Sequence, residues 1–270
     1  MWFSMSSSSD SIVTEYYDEK SRTYDDYSRQ LYFKVYDAVT WRVTEPYVPR
    51  DSNSCVLDAA GGTGKWSVPM AKCGARVVLA DFSDGMLEVA RKKIAREDLQ
   101  NRIETKRGDI RKLDFEDESF DMVFCDHALC FIKEQDLAVK ELARVLKKGH
   151  PLIITGQNRY VLSLSQVERD PAMASRILAK GSPFNMLNRV KVYALSPDEF
   201  RQLLEDNGVR VERMFGKVFT MPLGLSYDTQ RTENFSQDLL DKLLKIEYDL
   251  LEKPDAVPLA SHIQAVGYKR

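Results

Sequence analysis

The sequence predicts an α/β fold: a doubly wound, mainly parallel sheet with helices on both faces. Two observations carry that reading. From residue 54 to residue 155, short apolar runs of strand length alternate with amphipathic helical stretches. The first of those runs ends in a glycine loop, and acidic residues recur at the ends of the runs that follow. At 270 residues the chain is one large domain or two small ones. It is long enough to bury a core without crosslinks.

The elements follow in order. The start, MWFSMSSSSD, has neither the basic nor the apolar region of a signal peptide. It reads as a tail, with Met1 and Met5 as alternative starts. Residues 11–46 read as helix in two pieces. Leu31, Val35 and Val39 form one apolar stripe, and Tyr16, Tyr17, Tyr24, Tyr27, Tyr32 and Tyr36 crowd the segment. Pro46 and Pro49 end it. Strands are expected at 54–58, 75–80, 103–107, 120–125 and 151–155, with helices at 65–73, 84–95 and 134–146 between them. Residues 156–195 interrupt the rhythm. Ser196-Pro197-Asp198-Glu199 is a strong helix start: a serine cap, proline in the first turn, and a glutamate closing a capping box. A strand at 209–219, a helix at 237–252 and a final strand at 261–268 complete the pattern. A separate second domain is not expected.

Composition narrows the function. The hydrophobic fraction is 43% and the charged fraction 30%, the mix of a soluble globular protein. Lys plus Arg total 39 and Asp plus Glu 41, a net charge of −2. That excludes a wholly basic nucleic-acid binder and an acidic tail, while leaving room for a local basic patch. Cys55, Cys73, Cys125 and Cys130 form no C-x-x-C pair, so free thiols and a cytoplasmic location are expected. No apolar run is long enough to span a membrane.

The most informative stretch is Val56-Leu57-Asp58-Ala59-Ala60-Gly61-Gly62-Thr63-Gly64-Lys65-Trp66. A strand ends at an aspartate, and glycines then let the backbone turn tightly and approach a ligand. The second strand ends at Asp81, where a carboxylate can accept both ribose hydroxyls of a nucleoside. The third runs into Gly108-Asp109-Ile110, with Asp109 placed for an adenine amino group and Ile110 for the ring. The fourth ends at Cys125-Asp126-His127. Asp58, Asp81, Asp109 and Asp126 therefore share the edge where open α/β sheets bind ligands. Asp109 and Asp126 keep an alternative as turn formers or helix caps. The loop is also near a dinucleotide fingerprint, which makes NAD the competing ligand. Asp58 ahead of the loop would repel a pyrophosphate and suits a ligand carrying an ammonium and a sulfonium.

These segments, from about residue 54 to residue 155, resemble the class I methyltransferases that use S-adenosylmethionine (SAM). VLDAAGGTGKW resembles the family's first motif, with Ala60 where a glycine is usual. VVLADFSDGML, RGDIRKL, FDMVFCDHALCFI and ELARVLKKGHPLIIT resemble the next four. Within the family, the group that includes ubiquinone and menaquinone C-methyltransferases is most similar; its substrate is not carried over. The resemblance implies a Rossmann-like seven-stranded sheet whose last strand is antiparallel. It implies an N-terminal helical cap over residues 1–50, and a methyltransferase domain over 51–270 with lid insertions at about 156–195 and 222–260. It implies SAM contacts from Asp58, Ala59, Ala60, Gly61, Gly62 and Gly64, from Asp81, Phe82 and Met86, from Asp109 and Ile110, and from Cys125 and Asp126.

Methyl transfer from a sulfonium needs positioning and desolvation above all. Tyr16, Tyr17 and Tyr24 are placed for cation–π attraction to the sulfonium, with plain packing as the alternative. A base is needed only when the acceptor carries a proton to be removed. His127 is the catalytic candidate at the ligand edge. His262 starts the last strand there too, and His150 lies at the opposite edge. No metal-ligand spacing appears. The 171–197 stretch holds Arg176, Lys180, Arg189 and Lys191 with no acid, and also Met173, Phe184, Met186 and Leu187. A basic, partly apolar lid fits a small anionic substrate. A modified nucleoside in tRNA or a protein side chain are alternatives, as is a non-catalytic SAM-binding partner subunit.

Overall fold

Side-chain alternation along the strands builds the layers. In the computed structural model, which describes residues 8–179, 183–186 and 190–270, Val56, Val77, Leu79, Met122, Phe124 and Ile153 face one core. Leu57, Val123, Cys125, Leu152 and Ile154 face the other. Successive strand residues point to opposite faces, so strands that are apolar throughout are buried on both.

Strands β1 (Cys55–Ala59), β2 (Arg76–Asp81), β3 (Ile103–Arg107), β4 (Met122–Cys125), β5 (Pro151–Gln157), β8 (Val209–Lys217) and β9 (His262–Lys269) form one sheet in the order β3-β2-β1-β4-β5-β9-β8. The β1–β2, β1–β4, β2–β3 and β4–β5 pairs are parallel, whereas β9 is antiparallel to both β5 and β8. The expected seven-stranded sheet with an antiparallel last strand is therefore present. Strands β6 (Phe184–Met186) and β7 (Val190–Val192) form a separate hairpin.

The helices divide between the faces. Helices α2 (Leu31–Thr44), α3 (Ser67–Cys73), α4 (Asp84–Arg96) and α11 (Gln237–Leu251) join the first core, and α5 (Gln135–Val145) and α8 (Pro197–Asp206) the second. Ser83 caps α4 by accepting the Met86 N–H at 3.1 Å. Ser196 and Glu199 form the expected capping box on α8.

Several elements depart from the sequence reading for physical reasons. The helix expected from residue 65 starts at Ser67, because Ala60, Gly62 and Gly64 hold positive φ angles of 57°, 54° and 75° and keep the chain turning. Four helical pieces, not two, precede β1, the last a short 3₁₀ turn, Glu45–Tyr47. Helix α1 (Ser8–Lys20) and α2 are separated by a 3₁₀ segment, Ser21–Arg29. There Ser21, Thr23 and Ser28 bond the carbonyls of Asp18, Lys20 and Asp25, competing with helical bonding. Residues 156–195 contain α6 (Arg159–Leu164), α7 (Pro171–Leu178) and the hairpin. In the 222–260 stretch, α11 buries Leu243 and Leu251 against α2 and β8 as part of the main core. Only the shorter α9 (Thr220–Gly224) and α10 (Tyr227–Arg231) precede it. Met1, Met5, Lys180, Leu187 and Arg189, singled out in the sequence, lie outside the described residues, as does the side chain of Met186.

Candidate active site

A cavity of about 540 Å³ opens at the carboxyl edge of β1, β2 and β4. Its walls include Ala60 and Gly62 from the glycine loop, Asp81 and Phe82 after β2, Met86 on α4, and Asp109 and Ile110 after β3. Asp126, His127 and Phe131 close one end, and Tyr17 and Tyr24 cover it from the N-terminal segment.

The loop is shaped from beneath. Asp58 is 1% exposed and accepts the Ser67 hydroxyl at 2.5 Å. Burial pushes its carboxyl up to about 7. A Cβ on Gly61 would stand 2.8 Å from the Asp58 carboxyl, so only glycine lets the loop lie this close. Asp58, Ala59, Gly64 and Cys125 therefore lie behind the cavity rather than in its wall. At Gly62 a Cβ meets no atom within 4 Å, so that backbone faces open space. Asp81 is fixed by two backbone donors, Gly62 N–H on Oδ2 and Ser83 N–H on Oδ1, both at 2.9 Å. Burial pushes its carboxyl up to about 6 against those bonds. Asp109 is bound to its neighbour: both oxygens accept from the Arg111 guanidinium, and Oδ1 also from the Arg111 N–H.

Asp126 differs from either sequence reading. It borders both cavities, but its carboxylate is engaged by donors of the protein itself. Oδ1 accepts the Tyr36 hydroxyl at 2.8 Å, the Thr155 hydroxyl at 2.7 Å and the Lys217 ammonium at 2.9 Å, and Oδ2 accepts Trp66 Nε1–H at 3.1 Å. Burial opposes its charge, but Lys217 and these donors hold the carboxyl well below the usual carboxylate range. Lys217 is itself fully buried, with its ammonium 3.9 Å from the centre of the Tyr36 ring. Burial pulls its pKa down. The sequence reading missed Lys217, Thr155, Trp66 and Tyr36. Lys217 alone left a signal, as a lone cation inside the apolar run MFGKVF, where a buried lysine demands a carboxylate.

Beyond this wall lies a second cavity of about 770 Å³. It is largely aromatic, with Tyr16, Tyr27, Tyr32, Phe33, Tyr36 and Trp66 in its lining. Gly61 lines this cavity only. Tyr17, Tyr24, Ala60, Gly62, Asp126, His127 and Phe131 border both. Lys65 and Lys93 border it as well, paired with Asp37 at 2.6 Å and Asp25 at 2.8 Å. His150 sits at the far edge, 3.6 Å from Asp121, as expected.

The N-terminal segment is tied down by carboxylates. Asp18 accepts the Ser83 hydroxyl at 2.5 Å and the Gly85 N–H at 3.0 Å. Asp25 accepts the Thr63 hydroxyl at 2.6 Å, next to Gly62 and Gly64. No metal-binding group of His, Cys, Asp and Glu occurs among the described residues. No helix among them is long and apolar enough to cross a membrane.

The donor set fits SAM. The cavity lies within the ~300–1,000 Å³ span of small-molecule sites. It offers a fixed carboxylate, an open glycine backbone and an apolar slot of Phe82, Met86 and Ile110.

Comparisons with known proteins agree. Residues 56–149 match a family model described as a methyltransferase domain. A demethylmenaquinone methyltransferase of Clavibacter sepedonicus is 34% identical over 189 residues, covering 65% of this chain and 73% of that protein. Among solved structures, a SAM-dependent methyltransferase from Thermotoga maritima superposes with a TM-score of 0.59 at 18% identity, covering 95% of this chain and 99% of that one. The [4+2]-cyclase SpnF does so with a TM-score of 0.63 at 16% identity, covering 95% of each chain. These two structures show the fold alone. With the sequence relationship, the fold and the fitted cavity together, the chain belongs to the class I SAM-dependent methyltransferases, with SAM as its methyl donor.

Proposed function

We propose that this enzyme methylates a small, ring-bearing organic molecule held in the second cavity. The observation that carries the proposal is the shared wall: one set of residues borders both the SAM-sized cavity and an aromatic-lined one. In this reading Asp81 holds the ribose hydroxyls, Phe82, Met86 and Ile110 flank the adenine, and the Gly62 backbone faces the methionine portion. Asp58 and Gly64 act indirectly, by shaping the loop. Tyr17 and Tyr24 stand where an aromatic face attracts a sulfonium. When bound, SAM supplies an electrophilic methyl group. The protein supplies alignment and a site closed to water. The N-terminal segment from Val13 to Tyr36 serves as the cap over both cavities.

Two further observations support a small acceptor. The relative from Clavibacter is named for demethylmenaquinone, a ring-bearing molecule. Two lysines of the second cavity, Lys65 and Lys93, are neutralised by Asp37 and Asp25, which lessens its pull on an anion; Lys20 and Arg231 border it as well. The test is transfer of labelled methyl from SAM to separated small-molecule, RNA and protein fractions of the source cell. Label in the small-molecule fraction is the expected result. Label confined to RNA or protein refutes the proposal.

A further inference from the structure

The wall between the cavities carries a titratable cluster that SAM binding does not use. His127 follows β4 and borders both cavities. Its ring meets those of Tyr36, Phe131 and His262 edge-on, with centroids 5.8, 5.5 and 5.2 Å away. Neither ring nitrogen has a hydrogen-bond partner among the described residues. The backbone there is held at a φ of 53°, the left-handed region that few side chains adopt. Strain of this kind gathers at functional sites.

Behind His127 stands His262, the first residue of β9 and 4% exposed. Its Nδ1 is 3.4 Å from the Tyr32 hydroxyl, and its Nε2 is buried without a partner. A buried, unsatisfied imidazole nitrogen calls for a partner such as a water or a substrate group.

The other groups on this wall are unsuited to take a proton. Asp126 already accepts four hydrogen bonds, and its carboxyl is held well below the usual range. The Tyr36 hydroxyl donates to Asp126. Burial pushes the phenols of Tyr17, Tyr24 and Tyr36 up, so they stay protonated. Asp81 borders the first cavity only and is bound by backbone donors. His127 remains.

We propose that His127 is the catalytic base, taking the proton of a hydroxyl group on the acceptor ring, with His262 as the positioning residue behind it. The inference rests on the small-molecule reading above and narrows the substrate to phenol-type rings. In the step, the acceptor O–H bond breaks and its proton passes to a His127 ring nitrogen. The electron pair left on the acceptor forms the bond to the methyl carbon as the carbon–sulfur bond breaks, leaving its pair on a neutral thioether. When the new bond forms at a ring carbon, that carbon's own proton leaves to water, and the ring oxygen, left as an oxyanion, takes its proton back from the imidazolium. When the bond forms at the oxygen, the imidazolium gives its proton to water.

The surroundings keep the base in its working form. Burial, and then Lys217 from β8 and Lys65 ahead of α3, disfavour the imidazolium; Asp126 favours it. The uncharged neighbours facing it are Tyr36 from α2 and His262 from β9, itself held neutral by burial. The net effect lowers the His127 pKa, so the free base dominates at neutral pH.

The test combines kinetics with a binding readout on the full chain. Catechol and 1,4-dihydroxynaphthalene are the acceptor probes, and dimethoxybenzene, which lacks the hydroxyl proton, is the control. With S-adenosylhomocysteine bound, catechol shifts the His127 ring ¹⁵N resonances in histidine-labelled protein, and dimethoxybenzene does not. His127→Asn keeps a residue that tolerates the left-handed backbone. It lowers kcat by ~10²–10⁴-fold and removes the acid limb of the pH profile. KM for SAM stays within about threefold. His262→Asn keeps the limb but moves its midpoint, which a purely structural role would not do. A dihydroxy probe that is methylated equally well by His127→Asn, with the same acid limb, overturns this proposal alone. Absence of both binding and methylation for every hydroxylated ring overturns the small-ring reading together with it.

Discussion

At the scale of single residues, the site is governed by what burial does to charge. Asp81 and Asp58 are carboxylates pushed up to about 6 and about 7. Their contribution to stability is complete below the unfolded value of ~3.9 and is lost as pH rises through those folded values. Ribose hydroxyls donate, so they bind the ionised form of Asp81. SAM affinity therefore falls as pH drops below about 6, by up to ~10-fold per pH unit. Asp81→Asn removes that dependence and weakens binding by ~10–100-fold, the value of a charge-assisted hydrogen bond. Titration calorimetry between pH 5 and 8 reads both effects. Asp126 was visible in the sequence only as one of four aspartates at strand ends. Its actual role depends on Lys217, which is remote in sequence and reaches it only because β8 and β9 complete the sheet beside β5. No local pattern encodes that pairing.

At the scale of elements, the strands were the easiest to read, since an apolar run between turn signals has few alternatives. The capping box of Ser196 and Glu199 was equally plain, because both partners lie within one turn; the Ser83 cap on α4 was not singled out. The N-terminal segment was harder. Its tyrosines promised contact with the ligand, and Tyr17 and Tyr24 do border the first cavity while Tyr16 borders only the second. The 3₁₀ turn that places them arises from serine and threonine hydroxyls bonding carbonyls, a contest that helical periodicity does not reveal. The segment is secured over the glycine loop by Asp25 to Thr63 and Lys93, and by Asp18 to Ser83 and Gly85. Asp25→Ala releases the first tie without touching the cavity wall that holds the nucleoside. It is expected to raise the SAM dissociation rate several-fold, with little change in the unfolding midpoint. Stopped-flow displacement together with thermal melting separates the two. An unchanged dissociation rate would mean that the segment does not gate the site.

At the scale of the whole molecule, a near-neutral chain divides its charge unevenly. The acidic N-terminal stretch supplies the carboxylates that tie the cap, and two of the lysines facing the second cavity, Lys65 and Lys93, are spent on Asp37 and Asp25. The shared wall is mostly aromatic, with His127 and the Asp126 carboxylate, whose charge Lys217 balances. The sheet edge, the glycine loop and the choice of SAM were legible, because they lie in one continuous stretch of chain. The acceptor chamber was not, because the 3₁₀ segment, α2, the glycine loop, the loop after β4 and α10 each contribute part of it. Helix α11 was expected in a lid and instead belongs to the core, since its leucines match α2 better than they match solvent. The most direct test is a crystal structure of the enzyme with S-adenosylhomocysteine. The account predicts the ribose hydroxyls on Asp81 and the sulfur directed at the wall of Tyr17, Tyr24, Asp126, His127 and Phe131. A sulfur facing away from the second cavity, or a nucleoside bound outside the first, would contradict it.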